Sequence, residues 1–157
     1  MTDGLGGNPG TVDVRAVYRT LLRVWVAPAL RQLGLKGTGK TYYIPSDSHF
    51  ATISFQESLD GAQGEIEFTI NVRVADKTQW RAYANRAGYT EAAPAPNAEY
   101  VNDPVSWYTR AGLLADDPHD QWWTVDRDVD VESVAAEVVA LLTNSVVPAM
   151  KARLISP

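Results

Sequence analysis

Residues 65–74 alternate strictly between polar and apolar side chains over ten positions. Successive side chains of a strand point to opposite faces, whereas a helix would distribute them around its axis, so the pattern predicts a strand. Its apolar face would consist of Ile66, Phe68, Ile70, Val72 and Val74. Its polar face, which we expect to be solvated, would consist of Glu65, Glu67, Thr69, Asn71 and Arg73. The stretch therefore predicts a sheet with its core on one side.

Two shorter strands are predicted immediately before this one. Residues 41–45 place Tyr42 and Ile44 on one face, and residues 50–59 alternate in the same way. The connection at 60–64 contains two glycines, which suits a hairpin. Short turns between adjacent strands predict an antiparallel meander with one apolar face and one solvated face.

Two long amphipathic helices are predicted, one over residues 11–34 and one that begins at Asp128 or Asp130 and runs to about residue 154. Thr11 or Asp13 can cap the first, because short polar side chains accept bonds from free helix amides. The pattern LLxxxVxPA occurs in both helices, at residues 21–29 and 141–149. Proline removes a helix hydrogen bond and clashes with the preceding turn, so we expect each helix to kink or restart at its proline. Chance similarity between two apolar helices is the alternative.

The second half of the chain adds a short helix at 76–87 and two further strands. If the strand at 105–110 pairs with the strand at 121–125, their tryptophans lie on two neighbouring strands. Trp122 and Trp123 are neighbours, so they would face opposite sides of the sheet, one in the core and the other near the surface or under a helix.

Together these elements predict an α+β fold. We expect an antiparallel sheet of about five strands with two long helices packed on one face and a short third helix. Residues 1–10, which contain four glycines, are predicted to be a disordered tail. Residues 11–157 would form a single domain, with a flexible Ala/Pro loop at 91–103.

Composition restricts the classes of partner. The formal net charge is −5 and the isoelectric point is near 4.9, which opposes binding to nucleic acid and to anionic membranes. A basic partner or an uncharged one fits this charge better. The chain has no cysteine, which excludes disulfides and cysteine nucleophiles. No uninterrupted apolar run reaches a membrane span, and the N-terminus lacks signal-peptide features, so we expect a cytoplasmic protein.

Three sequence strings resemble the 4304 family of domains of unknown function. The first covers residues 28–36 and continues at Thr41-Tyr42-Tyr43, the second covers 68–72, and the third covers 107–112 with 120–123. Their order along residues 12–155 matches that family. The chain departs from it at Leu35, where an aromatic residue is expected, and in the Ala/Pro stretch at 91–98. The resemblance implies an antiparallel sheet flanked by helices, and it implies no activity.

The candidate binding residues lie on the predicted strand pair and on the polar face of the central strand. They are Trp107, Arg110, Trp122, Trp123, Asn71, Arg73 and Glu67. An exposed tryptophan beside an arginine is typical of a protein-binding hot spot. The alternative is that the indoles fill the space between sheet and helices, where their large area is buried.

Catalysis is the weaker interpretation. Glu57, Glu65 and Glu67 could cluster on the hairpin for acid–base work, but on a solvated face they would titrate normally. Asp116, Asp117, His119 and Asp120 form an acidic turn that lacks the ligand pattern of a calcium loop, so no metal and no cofactor are expected. We therefore expect a non-enzymatic binding module with an unidentified protein partner. An immunity-type protein that neutralises a basic toxin and a small enzyme are the alternatives.

Overall fold

The computed structural model describes residues 13–58, 64–95 and 103–155. The predicted tail at 1–10 and most of the hairpin connection at 60–64 lie outside these ranges. Within the predicted Ala/Pro loop, residues 91–95 are irregular and Pro94 is buried, while residues 96–102 also lie outside the described part.

Within the described residues, six antiparallel strands form one sheet and confirm the α+β architecture. They are β1 (Lys36–Thr38), β2 (Thr41–Tyr43), β3 (His49–Glu57), β4 (Glu65–Asp76), β5 (Trp107–Arg110) and β6 (Trp123–Asp126). The order β1-β2-β3-β4 follows the chain, as predicted for a meander. Strand β1 was not predicted, because its three residues include a glycine and carry no alternating pattern.

The predicted pairing of residues 105–110 with 121–125 is wrong. Strand β5 pairs with Asn71–Val74 of β4, and β6 pairs with Glu65–Phe68 of the same strand. Because β4 is twelve residues long, both four-residue strands fit end to end along it. Trp107 therefore lies opposite Val74 and Trp123 opposite Phe68, six residues apart along β4, and the two are not on neighbouring strands.

Each long helix contains a π-helical segment between two α-helical segments. The N-terminal helix consists of α1 (Val14–Thr20), a π segment (Leu21–Val26) and α2 (Ala27–Gln32). A short helix, α3 (Lys77–Ala87), follows β4. The C-terminal helix consists of α4 (Val131–Leu141), a π segment (Leu142–Val146) and α5 (Val147–Leu154). Asp13 and Asp130 cap the two long helices through their side chains.

The repeated LLxxxVxPA pattern has the same structural consequence in both helices. The Ala27 amide donates to the Leu22 carbonyl, and the Val147 amide donates to the Leu142 carbonyl, in each case five residues back. Pro28 and Pro148 follow directly. A proline ring clashes with the carbonyl four residues earlier in an α-helix, and a wider π turn changes that spacing. Each helix therefore continues through its proline rather than restarting there.

The main core lies between the apolar face of the sheet and the two long helices. Phe68 is fully buried at its centre, with ring centroids 5.2 Å from Tyr18 and 5.4 Å from Trp123. The C-terminal helix contributes Ala135, Val138, Leu142, Val146 and Met150 to this core. By length and mean hydropathy, Val131–Leu154 could also cross a membrane; core helices meet the same criterion, and this helix buries its apolar stripe against the sheet.

The prediction that the polar face of β4 is solvated is wrong for the second half of the strand. Thr69, Asn71 and Arg73 are at most 1% exposed. Asp103 lies against Arg73, and Trp80 and Ala84 of α3 are buried outside the main core. A second, smaller layer therefore covers this face. Only Glu65 and Glu67, at the start of β4, stay partly exposed.

Candidate binding site

The N-terminal helix presents a row of arginines to solvent. Arg15, Arg19 and Arg23 are spaced four residues apart, which places them on one side of a helix. The helix begins here because the Asp13 carboxylate accepts a hydrogen bond of 3.0 Å from the Arg15 amide. All three arginine side chains are exposed.

The β1–β2 hairpin stands opposite this row. Gly34 ends α2 in the left-handed conformation with φ 95°, and the chain then turns back as β1. Gly39 and Lys40 form a two-residue turn between the strands. The Arg31 guanidinium donates to the Gly37 carbonyl over 3.2 Å. This bond ties the hairpin to the end of the N-terminal helix.

A cleft of about 620 Å³ lies between the helix and the hairpin. Its floor is made by Tyr18, Leu22, Ala27 and Tyr42, which are all buried. Its rim carries five exposed cations, namely Arg15, Arg19, Arg23, Arg31 and Lys40. Arginine stems cover apolar surface while their heads stay in water, so the cleft has an apolar interior below a positive edge. We call this feature the basic cleft.

One carboxylate occupies the edge of the basic cleft. Glu57, at the end of β3, accepts hydrogen bonds from the Arg15 guanidinium at 2.7 and 2.8 Å and from the Lys40 ammonium. Burial alone would raise the pKa of Glu57, but the bonds and charges of Lys40 and Arg15 outweigh it and lower the pKa. Glu57 therefore remains an anion that bridges the helix and the hairpin.

The other rim cations have weaker partners or none. Arg19 lies 4.0 Å from the exposed Asp13 carboxylate, a separation at which an exposed pair contributes little. Arg23 and Arg31 make no ion pair within residues 13–58, 64–95 and 103–155. Among the described residues, the five positive charges at the rim thus exceed the two carboxylates near them, Glu57 and Asp13.

The Tyr18 hydroxyl is a further polar group at the cleft. It is buried and has no hydrogen-bond partner among the described residues. Burial raises the pKa of Tyr18, and the nearby negative charge of Glu57 adds to the shift. The hydroxyl therefore stays protonated near neutral pH and remains a donor.

The sequence does contain a signal for the basic cleft, namely a local excess of positive charge that the net charge does not show. Residues 15–40 contain six Lys and Arg residues and no Asp or Glu, while the rest of the chain carries eight basic and nineteen acidic residues. The net charge of −5, which is summed over the whole chain, conceals this segregation. Spacing of the arginines by four would have placed them on one helix face.

Three of the predicted binding residues come together in a second place, on the partly covered face of the sheet. The Asn71 side-chain oxygen accepts bonds from the Tyr108 hydroxyl (2.6 Å) and from Arg110 (3.4 Å). The Arg110 guanidinium lies 5.3 Å from the centre of the Trp122 ring and 3.0 Å from the Asp120 carboxylate. These groups are hydrogen-bonded, ion-paired or stacked with one another, so they form an internal network with a partly exposed edge at Trp122.

Of the four remaining predicted site residues, only Arg73 touches this network, with its guanidinium 4.9 Å from the centre of the Tyr108 ring. Trp123 is 6% exposed and stacks on Phe68, so it belongs to the main core. Trp107 faces the same side as Val74 and lies under the Arg153 guanidinium at 3.8 Å. Arg73 forms a buried ion pair with Asp103 at 3.1 Å. Glu67 is partly exposed at the other end of β4, opposite Thr124.

The acidic turn is an exposed and internally bonded loop. The His119 ring bonds to the Asp117 carbonyl (2.8 Å) and to the Gln121 side chain (2.6 Å). These bonds raise the pKa of His119. Across the part of the chain that the structure describes, no three His, Asp or Glu side chains are grouped to hold a metal ion.

Comparison with known proteins gives one match. The family model described as "Domain of unknown function (DUF4304)" matches residues 26–152. No curated protein and no solved structure matches the chain. The matched range includes the hairpin, Arg31 and Glu57 but begins after Arg15, Arg19 and Arg23.

Proposed function

The chain belongs to the DUF4304 family, which carries no assigned activity, and we propose that it is a non-enzymatic binding module whose site is the basic cleft. Its ligand is a small molecule with an anionic group and an apolar body. The positive rim would hold the anion, and the apolar interior would receive the body.

The observation that supports this proposal is the combination of size and charge. The cleft, at about 620 Å³, falls within the roughly 300–1,000 Å³ of small-molecule sites, and such sites are typically apolar with a few polar groups that orient the ligand. Five cations line it, and two of them hold the Glu57 carboxylate, so charge complementarity favours an anion. An apolar floor without this rim would favour a neutral ligand instead.

The chemistry of Glu57 argues against an enzyme at this position. A general acid or base needs a pKa near the working pH, which for a carboxylate means a raised pKa. The pKa of Glu57 is lowered by Lys40 and Arg15. Glu57 therefore fits the role of a fixed counterion better than that of a proton carrier.

The sheet-face candidate is a less favourable site. Arg110 and Trp122 already interact with each other and with Asp120. A partner would have to compete with these contacts. The immunity-type hypothesis requires an acidic surface for a basic toxin. The exposed acidic turn at residues 116–120 offers one, but its Asp120 carboxylate already pairs with Arg110.

Calorimetric titration with two amphiphiles of the same chain length tests the proposal. Decanesulfonate has a permanently anionic headgroup and decyltrimethylammonium a permanently cationic one, and both would be used below their micelle-forming concentrations. We expect saturable one-site binding of decanesulfonate and much weaker binding of the cation. Equal affinity for both would contradict a site selected by charge.

A matched pair of variants localises the binding. Replacing Arg15, Arg19 and Arg23 by Gln should weaken decanesulfonate binding roughly tenfold or more, because each exposed charge contributes up to about 1 kcal/mol. The control replaces Arg81, Arg86 and Arg127, which are exposed elsewhere, and changes the net charge equally. If both triple variants lost the same affinity, the effect would be one of net charge and the cleft would not be the site.

A further inference from the structure

The Glu57 carboxylate is placed where the anionic group of a ligand would be expected to bind. It reaches from the end of β3 to the edge of the basic cleft and accepts hydrogen bonds from Arg15 and Lys40 together. Arg15 comes from α1 and Lys40 from the β1–β2 turn, so the two cations converge on one anion from opposite sides of the cleft. Glu57 thereby pairs with two of the five rim cations.

We propose that Glu57 is an internal competitor for the ligand, whose anionic group displaces the Glu57 carboxylate from Arg15 and Lys40. This inference rests on the proposed function of the basic cleft. Binding is then an exchange of one anion for another between the same two cations. A ligand binds only if its anionic group interacts with Arg15 and Lys40 strongly enough to replace the Glu57 carboxylate.

Two observations make the exchange feasible. The Glu57 side chain is 21% exposed, while Arg15 and Lys40 are 50% and 49% exposed, so the ion pairs lie at the surface where replacement costs little desolvation. The Tyr18 side chain forms part of the cleft floor, and its buried hydroxyl has no partner among the described residues. A ligand that reached this hydroxyl would meet a neutral donor that does not depend on Glu57.

Competition by a tethered group has a defined effect on affinity. A carboxylate held beside its partners acts at a high effective concentration and lowers the apparent affinity of any free anion. Removing its charge should therefore raise affinity. The opposite role is also testable: if Glu57 holds Arg15 and Lys40 in position for the ligand, removing its charge should lower affinity.

The test compares Glu57→Gln with wild-type protein in calorimetric titration with decanesulfonate. We expect Glu57→Gln to bind roughly three- to tenfold more tightly, because two exposed ion pairs no longer have to be broken. Glu137→Gln, which removes an exposed carboxylate from α4, is the control for net charge and should bind as wild type does. Thermal unfolding of each variant checks that it is folded.

A double-mutant cycle identifies the cation involved. Arg15→Gln should reduce the affinity of the Glu57→Gln protein more than that of wild type, since Arg15 is occupied by Glu57 only in wild type. Unchanged or weaker binding by folded Glu57→Gln would overturn the competitor role while leaving the cleft as a site. Absence of binding by both wild type and Glu57→Gln would overturn the proposed function itself.

Discussion

The carboxylate of Glu57 lies 2.7 Å from the guanidinium of Arg15, although 42 residues separate them in sequence. Arg15 belongs to the first turn of the N-terminal helix, and Glu57 ends β3. The pair therefore joins the helical layer to the sheet at the edge of the basic cleft. It is both a structural link and the point at which we infer that a ligand competes.

The Glu57 interactions should make stability depend on pH. The pKa of Glu57 is lowered in the folded protein, so its contribution is present above the unfolded value of about 4.3 and is lost as the pH falls through the folded value. Glu57→Gln should therefore melt below wild type at pH 7, and the difference should shrink toward zero at acidic pH. Thermal unfolding between pH 3 and pH 7 measures this, with Glu137→Gln as the control. A difference that stays constant over this range would contradict the assignment.

Phe68 should be one of the most sensitive positions of the core. It is fully buried and contacts the rings of Tyr18, Phe55 and Trp123. Phe68→Ala should cost roughly 3–5 kcal/mol of unfolding free energy, through lost burial and the cavity that remains. Urea denaturation measures the cost. The control is Leu113→Ala, at a side chain that is 49% exposed, and its unfolding free energy should stay within about 0.5 kcal/mol of wild type. An unchanged denaturation midpoint for Phe68→Ala would refute the register of β4.

The Arg73–Asp103 pair should be far more important for stability than an exposed ion pair. Both side chains are 1% exposed, and Asp103 also accepts bonds from the Val105 and Ser106 amides. Asp103→Ala should cost roughly 3–5 kcal/mol, because it leaves a buried guanidinium without its counterion. Asp120→Ala, which breaks the exposed Arg110–Asp120 pair, should cost about 1 kcal/mol or less. Equal costs in denaturant titrations would mean that Arg73 is not buried as the structure has it.

The sequence predicted the elements and the core more successfully than the site. Alternation over residues 65–74 identified β4 and its apolar face, because the period of two depends only on local backbone geometry. The same alternation could not show what covers the opposite face. Arg73 meets Asp103 across thirty residues, and that contact depends on a chain path that no local pattern records.

The pairing of the tryptophan strands failed for a related reason. Two short strands near each other in sequence usually pair, but here a single long strand offers enough edge for both. The spacing of the arginines by four could have predicted the basic cleft. The net charge of −5 pointed instead to a basic partner. Local segregation of charge, rather than net charge, indicates the sign of a ligand.

The β1–β2 hairpin should tolerate substitution at one glycine and not at the other. A Cβ on Gly37 would lie 2.3 Å from the Thr41 carbonyl oxygen, while a Cβ on Gly39 would meet nothing within 4 Å. Both have positive φ, so alanine is strained at each position, by roughly 1–2 kcal/mol in the left-handed conformation of Gly39. Only Gly37→Ala adds a backbone clash, so it should lower the melting temperature clearly more than Gly39→Ala does. Because the clash would move the hairpin, Gly37→Ala should also weaken decanesulfonate binding. Equal melting temperatures for the two variants would contradict the hairpin geometry.

The most direct test of the binding site is amide chemical-shift mapping by NMR during titration with decanesulfonate. We predict that the largest shifts fall on the amides of the cleft, at Leu22, Ala27, Thr38, Gly39 and Lys40. The amides of Trp107, Arg110 and Trp122, on the other edge of the sheet, should move little. Largest shifts at that second group, or small shifts spread evenly over the chain, would contradict the assignment of the basic cleft as the binding site.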